Sequence, residues 1–195
     1  GEPNPTTSAD KWIFTRLAQL VESIDAAFEE FEFGEITRQL YSFFWNEFCD
    51  WYIEFSKSRL SKDADPQDRL DCQRNLVFVL DQAIRLLHPI MPFVTEEIYQ
   101  ELPGEKQAKH LIVASWPQAA ALKQYCDEDA AAAIGMVCDA VSAIRSTRAR
   151  YGISPKSALD VVIKAKESAD LLEQQSSLIS SLANVSSLTI SADAE

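Results

Sequence analysis

The chain has 195 residues, 47% of them hydrophobic, and a formal net charge of −12 at pH 7. A chain of this length can form one domain of about 130 residues with its own hydrophobic core, and a smaller domain. The acidic surplus argues against non-specific nucleic-acid binding, which needs a surplus of Lys and Arg. No apolar run approaches the roughly 20 residues that cross a bilayer, and the opening GEPNPTTSAD lacks the features of a secretory signal, so we expect a cytoplasmic chain with no membrane partner.

Helix one is predicted from Lys11 to Phe31. Thr7 and Asp10 stand at the spacing of a capping box, which predicts a helix start at this point. Apolar side chains then recur every three or four residues, the spacing of one helix face. They are Ile13, Leu17, Leu20, Val21, Ile24, Phe28 and Phe31.

Phe33 and Gly34 interrupt this pattern, and a second helix is predicted from about Glu35 to Ser56. Drawn as a regular α-helix, its aromatic rings fall within an arc of about 120°, which predicts a bundle core for most of them because such a face makes a poor exposed surface. The rings are Tyr41, Phe44, Trp45, Phe48, Trp51, Tyr52 and Phe55. Across the helix runs a polar row of Asn46, Glu47, Asp50, Glu54 and Lys57. This row is either a solvated face held by weak pairs such as Glu54 with Lys57, or a surface that touches a ligand.

A third helix is predicted to begin at Asp65, which can act as its N-cap, with Pro66 in the first turn. Pro89 ends this helix. Its apolar face is marked by Leu70, Val77, Leu80, Ile84 and Leu87. A short fourth helix follows from Pro92 to Leu102, and a looser stretch then reaches Pro117.

After Asp127, a fifth helix ending near Gly152 is predicted from a stripe of Ile134, Val137, Val141 and Ile144. Alternation at Leu159, Val161 and Ile163, a helical stretch from Leu171 to Leu182, and alternation at Leu188 and Ile190 predict a βαβ unit. The predicted fold class is therefore mainly α. It comprises a helical bundle over residues 1–126, and a helix with a small C-terminal α/β subdomain over residues 127–195.

The fifth helix opens a basic segment. Residues 140–166 hold six Lys or Arg, Lys166 the last of them, against Asp160 alone. Arg145 and Arg148 continue the apolar stripe rather than opposing it. Two interpretations are equally supported: these arginines stabilise carbonyl groups at the helix C-terminus, or they hold phosphate groups of a nucleic acid.

Phe33 and Arg16 also stand apart from the apolar stripes. Phe33 lies at the helix junction beside a glycine that lets a base come close, so its ring could stack on that base. Arg16 lies at the edge of the helix-one stripe, within reach of a phosphate or a base edge on that side. A purely structural role is equally supported for each.

The sequence offers no self-sufficient catalytic or metal site. His88 and His110 are its only histidines and have no Ser or Cys partner at a recognisable spacing. Phosphate-binding glycine loops are absent. The widely spaced cysteines form no CxxC, which fits reduced thiols better than zinc or disulfides. We therefore expect neither metal nor cofactor in this chain.

Several segments, taken together, carry a family resemblance. They are ADKWIFTRL, RQLYSFFWNEFCDWYIEFSK, RLLHPIMPFVTEEIYQEL and ASWP, in this order, followed by IRSTRARYGISPKSALDVVIKA. The first four resemble the anticodon-binding bundle of valyl-tRNA synthetases, a class I family, and the last resembles the segment that follows this bundle. WNEFCDWY is quite specific to the family, whereas HPIMPFVTEEIYQEL is shared with the isoleucyl and leucyl relatives.

The resemblance implies a piece of an enzyme that joins valine to tRNA(Val) with ATP and clears mischarged threonine at a separate site. ATP and Mg²⁺ would bind in a catalytic domain of the same polypeptide, whose signatures this chain lacks. The expected partners are the anticodon arm of the tRNA and that catalytic domain, in a monomer. The residues implied in tRNA binding are Arg16, Phe33, Arg38, Asn46, Asp50, Glu54, Arg145 and Arg148. Two alternatives stay open: the same region of an isoleucyl or leucyl enzyme, and a non-enzymatic helical module that docks a basic protein.

Overall fold

A computed structural model describes residues 1–165 and 168–191, so Lys166 lies outside the described residues. The chain divides into two compact units, residues 1–131 and residues 132–195. The boundary lies in the first turn of a long helix, a few residues beyond the 126/127 division that the sequence predicts. We describe each unit separately.

Unit 1 begins with helix α1, Ser8–Glu29. The predicted capping box is confirmed: the Thr7 hydroxyl accepts the Asp10 N–H at 3.1 Å and the Asp10 carboxylate accepts the Thr7 N–H at 3.1 Å. The predicted apolar face is buried from Ile13 to Ile24. It packs on the second helix, on α4 (Pro66–Leu87) and on α6 (Ala119–Leu122), so α1 forms the centre of this unit.

Helix α1 ends two residues before the predicted Phe31. The Phe31 N–H donates to the Phe28 carbonyl and the Glu32 N–H donates to the Ala27 carbonyl, the pair of bonds that defines a Schellman turn. Phe31 occupies its left-handed position, with φ of 58°. The next helix, α2 (Phe33–Tyr41), begins at once. The predicted break between the two helices therefore exists but lies at residues 30–32, and Phe33 and Gly34 are helical.

The second helix is not a regular α-helix. α2 continues as a π-helical segment, π1 (Ser42–Tyr52), and ends as α3 (Ile53–Ser56). The Ile53 N–H donates to the carbonyl of Phe48, five residues earlier, so each turn of π1 holds more residues than an α-turn. The predicted core position is confirmed for most of the rings: Phe48, Tyr52 and Phe55 are buried, and Phe44 and Trp51 are half-buried. The 100° projection is wrong for Tyr41 and Trp45, which are largely exposed, and it misses Phe43, which is buried.

The rest of unit 1 follows the predicted order. α4 starts where expected, with the Asp65 carboxylate accepting the N–H groups of Gln67 and Asp68. α5 (Pro92–Glu101) packs on α4. The stretch before the next unit forms short turns of 3₁₀-helix, Leu111–Val113 and Lys123–Tyr125, on either side of α6.

A buried charge network joins three segments of unit 1. The Asp10 carboxylate, fully buried, accepts the Tyr52 hydroxyl at 2.7 Å and the Arg59 guanidinium at 2.8 Å. Arg59 also pairs with Asp68 at 2.7 Å. Burial first, and then the Asp10 charge, raise the pKa of Tyr52 well above its ordinary value, so the phenol stays a donor.

Unit 2 holds most of α7 (Glu128–Arg150), followed by β1 (Leu159–Lys164), α8 (Ala169–Gln174), α9 (Ser176–Ala183) and β2 (Val185–Ser191). β1 and β2 are parallel, with Val161 opposite Leu188 and Ile163 opposite Ile190. The predicted βαβ unit is confirmed, although its helix is divided at Gln175.

Helix α7 buries its predicted stripe, Ile134, Val137, Val141 and Ile144. Among the described residues, it is the helix whose length and composition would suffice to cross a membrane, a test that buried core helices also pass.

Candidate functional site

A polar cleft of about 310 Å³ lies in unit 1 between α1 and the second helix. It brings together Arg16 and Arg38, which the sequence predicts as binding residues, and adds Glu35 and Glu47. Its other polar side chains are Gln19, Ser23, Gln39 and Ser42. This volume is at the lower end of the range for small-molecule pockets, which suits one small planar group.

Arg16 is held at the cleft wall by a two-pronged ion pair. Its Nε and Nη2 donate to the two carboxylate oxygens of Glu47 at 2.8 and 2.9 Å, and its Nη1 donates to Gln19 at 2.7 Å. The hydrogen bonds that Arg16 donates to Glu47 raise the pKa of Arg16 above its ordinary value. The guanidinium is therefore fixed in direction and largely neutralised before any ligand arrives.

Arg38 is paired in the same way at the cleft rim. It donates to Glu35, one turn earlier in α2, and Glu35 also accepts the Gln39 amide. The hydrogen bond from Arg38, followed by that from Gln39, lowers the pKa of Glu35. The cleft thus balances two arginines against two carboxylates and offers both donors and acceptors. Such a set can match the mixed edge of a nucleobase better than a phosphate.

An aromatic cluster lies at the end of α1, made of Phe28, Phe31, Phe33 and Trp116. The rings meet edge to face, with centroids of Phe33 and Phe31 6.3 Å apart and of Phe28 and Trp116 5.7 Å apart. The Trp116 indole donates to Asp25 at 2.7 Å. Phe33 is 60% exposed and Phe31 76% exposed, so both present open ring surface.

The sequence predicts Phe33 as a stacking residue but does not indicate that Phe31 and Trp116 join the same cluster. The apolar pattern places Phe31 on the helix-one stripe, because the turn that projects it outward has no composition signal. Trp116 stands in the ASWP segment, whose spacing gives no sign that it folds back onto α1.

Three predicted residues of the polar row lie outside the cleft lining. Asn46 and Asp50 are exposed on π1. Glu54 pairs with Lys57, as expected for a solvated face. The structure does not bring these three side chains into the cleft with Arg16 and Arg38.

Arg145 and Arg148 belong to unit 2 and differ in exposure. Arg145 is exposed and donates to the Leu182 carbonyl at 3.0 Å. Arg148 is only 4% exposed and donates to the carbonyls of Ser157, Ala183 and Asn184 at 2.6 to 3.1 Å. Of the two interpretations of Arg148, the phosphate contact is corrected, because the guanidinium is buried and both of its Nη groups donate to backbone carbonyls.

A scan against family models matches residues 10–163 to the anticodon-binding domain of tRNA ligases. Among curated proteins, the chain is 40% identical to valine–tRNA ligase of Bacillus licheniformis and 42% identical to that of Bacillus cereus, each over 95% of this chain. It is 44% identical to valine–tRNA ligase of Lactiplantibacillus plantarum over 81% of this chain. The chain spans about a fifth of the length of these relatives, 17 to 21%.

The matched region contains all of unit 1 from Asp10 onward, including the cleft and the aromatic cluster. It covers 154 of the 195 residues. The helical architecture, with its small α/β part, agrees with this match. The chain therefore belongs to the anticodon-binding domain family of tRNA ligases.

Proposed function

We propose that this chain is the anticodon-binding region of a valine–tRNA ligase that attaches valine to tRNA(Val) with ATP. The observation that carries the proposal is the similarity to valine–tRNA ligases along 95% of the chain. The remaining part of the same polypeptide would be its second partner and would bind ATP and Mg²⁺. We place the enzyme in the cytoplasm as a monomer.

The cleft is the proposed reading site. An unpaired base of the anticodon loop enters between α1 and α2, where Glu35 and Glu47 accept its amino or imino hydrogens and Arg16 donates to its carbonyl or ring nitrogen. Single-stranded RNA loops are usually recognised through base edges and stacking of this kind. Phe33, at the start of α2, supplies a ring on which a neighbouring base stacks.

Binding at this site costs an exchange of partners. Arg16 and Arg38 are each engaged by a carboxylate in the unliganded chain, so a base that offers the wrong donors leaves one of these charges unpaired. A wrong base therefore loses more binding free energy than a correct base gains. The acidic total adds little attraction for the phosphate backbone, so we expect weak affinity, clear triplet preference and shallow salt dependence.

The test compares binding of the chain to a stem-loop RNA with the tRNA(Val) anticodon and to stem-loops that differ only in the triplet. We expect tighter binding of the valine triplet and loss of that preference in Arg16→Met. Arg74→Ala, which removes a half-exposed arginine on α4 paired with Asp71, is the matched control and should bind as the wild type does. Equal affinity for every triplet would refute anticodon reading, and preference for an isoleucine or leucine triplet would move the chain to those relatives.

A further inference from the structure

The turn at the end of α1 has an unusual residue at its left-handed position. In a Schellman turn this position is usually glycine, because a side chain there collides with the backbone. Among the described residues, the other left-handed positions hold Gly104, Gly152 and Asn184, all of them types that tolerate the conformation. Phe31 does not belong to this group, so the turn carries backbone strain.

Burial does not compensate for this strain. The Phe31 side chain is 76% exposed, and its ring contact within the described residues is the edge-to-face one with Phe33. A glycine would relieve the backbone and remove an exposed apolar ring. A strained residue that gains little from packing indicates a role outside stability.

The geometry around Phe31 suits a flat ligand. The planes of Phe31 and Phe33 are inclined at 68°, so two flat groups stacked on them would splay apart rather than stack on each other. Glu29, Glu30 and Glu32 flank Phe31 in the sequence and are exposed. These carboxylates repel phosphate but accept hydrogen bonds from the amino groups of a base.

We propose that Phe31 is a second stacking platform, which holds an unpaired base next to the one on Phe33. This inference rests on the proposed function and adds a binding residue to it. It assigns the strain at Phe31 to the need for an aromatic ring at the tip of the turn. Two differently inclined rings would keep consecutive bases of the loop apart, so that each is read separately.

The test places 2-aminopurine at successive loop positions of the tRNA(Val) stem-loop and measures its quenching by the chain. We expect Phe31→Gly to abolish quenching at one position and to weaken binding about fivefold or more, the effect of losing one stacked base. The Tm of unit 1 should not fall, and should rise by up to about 4 °C as strain is relieved. Phe31→Tyr should retain quenching and affinity. Phe93→Ala, which removes a 91% exposed ring at the start of α5, should change neither.

The outcomes separate this inference from the proposed function. If the wild type prefers the valine triplet but Phe31→Gly binds equally well, the platform is wrong and anticodon reading stands. If Phe31→Gly lowers the Tm, the ring has a structural role and the inference also fails. If the wild type shows no triplet preference, the proposed function itself fails. If Phe31→Gly binds RNA as the wild type does but no longer binds an arginine-rich peptide that the wild type binds, the inference fails and the ring serves a protein partner.

Discussion

Replacing Asp10 with asparagine tests the buried charge network at the start of α1. Every hydrogen bond at this carboxylate is donated to it: one oxygen accepts from Thr6, Thr7 and Arg59, and the other from Tyr52 and Arg59. An amide places an NH₂ group on one side, so whichever way it turns it faces at least two donors. At the same time, Arg59 loses one of its two anionic partners.

The expected cost follows from burial. The Asp10 side chain is fully buried and Arg59 is 13% exposed, and breaking a buried ion pair from one side costs about 3 to 5 kcal/mol. Asp68 pairs with the same guanidinium but is 38% exposed, so Asp68→Asn should cost about 1 kcal/mol or less. The two variants therefore compare two ion pairs of the same arginine, one with a buried carboxylate and one with a solvated carboxylate.

Urea unfolding followed by tryptophan fluorescence measures this difference. All four tryptophans, Trp12, Trp45, Trp51 and Trp116, lie in unit 1, so the signal reports the unit that contains the network. We expect the Asp10→Asn midpoint to fall far below that of Asp68→Asn, with an unchanged slope. Similar midpoints for the two variants would show that the buried network contributes no more than a surface ion pair.

Phe48→Ala should destabilise unit 1 by about 3 to 5 kcal/mol because the ring is buried, whereas Trp45→Ala on the same segment should cost about 1 kcal/mol or less. Urea unfolding followed by circular dichroism measures both losses. Equal losses would contradict the observation that Phe48 faces the core and Trp45 faces solvent. Asp127 gives a pH prediction. The hydrogen bond from the Ala130 N–H, and then that from Lys11, lower its pKa, so the folded state releases the proton more readily than the unfolded state does. The contribution of Asp127 to the stability of the folded state is therefore present at neutral pH, and it is lost as the pH falls from about 4 through the lowered pKa of Asp127. Asp127→Asn should flatten the acid limb of a Tm-against-pH curve, and an unchanged limb would contradict this.

Local features of the fold could be predicted from the sequence. The capping box at Thr7 and the Asp65 cap of α4 depend on residues within one turn, and both are confirmed. The βαβ unit follows from a change of apolar period, which is also local. In both caps the partners of the interaction are neighbours in the sequence, and in the βαβ unit each strand shows its own alternation.

The features that the sequence did not predict depend on tertiary structure or on an assumed geometry. The facing of Tyr41 and Trp45 required knowledge of π1, since the projection assumes α-helical turns. Arg148 donates from its Nη2 to the carbonyls of Ala183 and Asn184, 35 and 36 residues further along the chain, which no local pattern reveals. The ion pair between Arg16 and Glu47 joins two helices, and it makes the cleft neutral where the sequence suggested an available cation.

The π-helical segment makes the second helix tolerant of changes in length. A turn closed by a bond to the fifth residue back holds one residue more than an α-turn, so deleting one residue between Ser42 and Tyr52 can be absorbed by a return to α-geometry. The same deletion in the middle of α1 would rotate every later side chain by about 100° and turn its buried face toward water. A one-residue deletion in this segment should therefore lower the Tm of unit 1 less than a one-residue deletion in the middle of α1, and thermal unfolding of the two variants measures the difference.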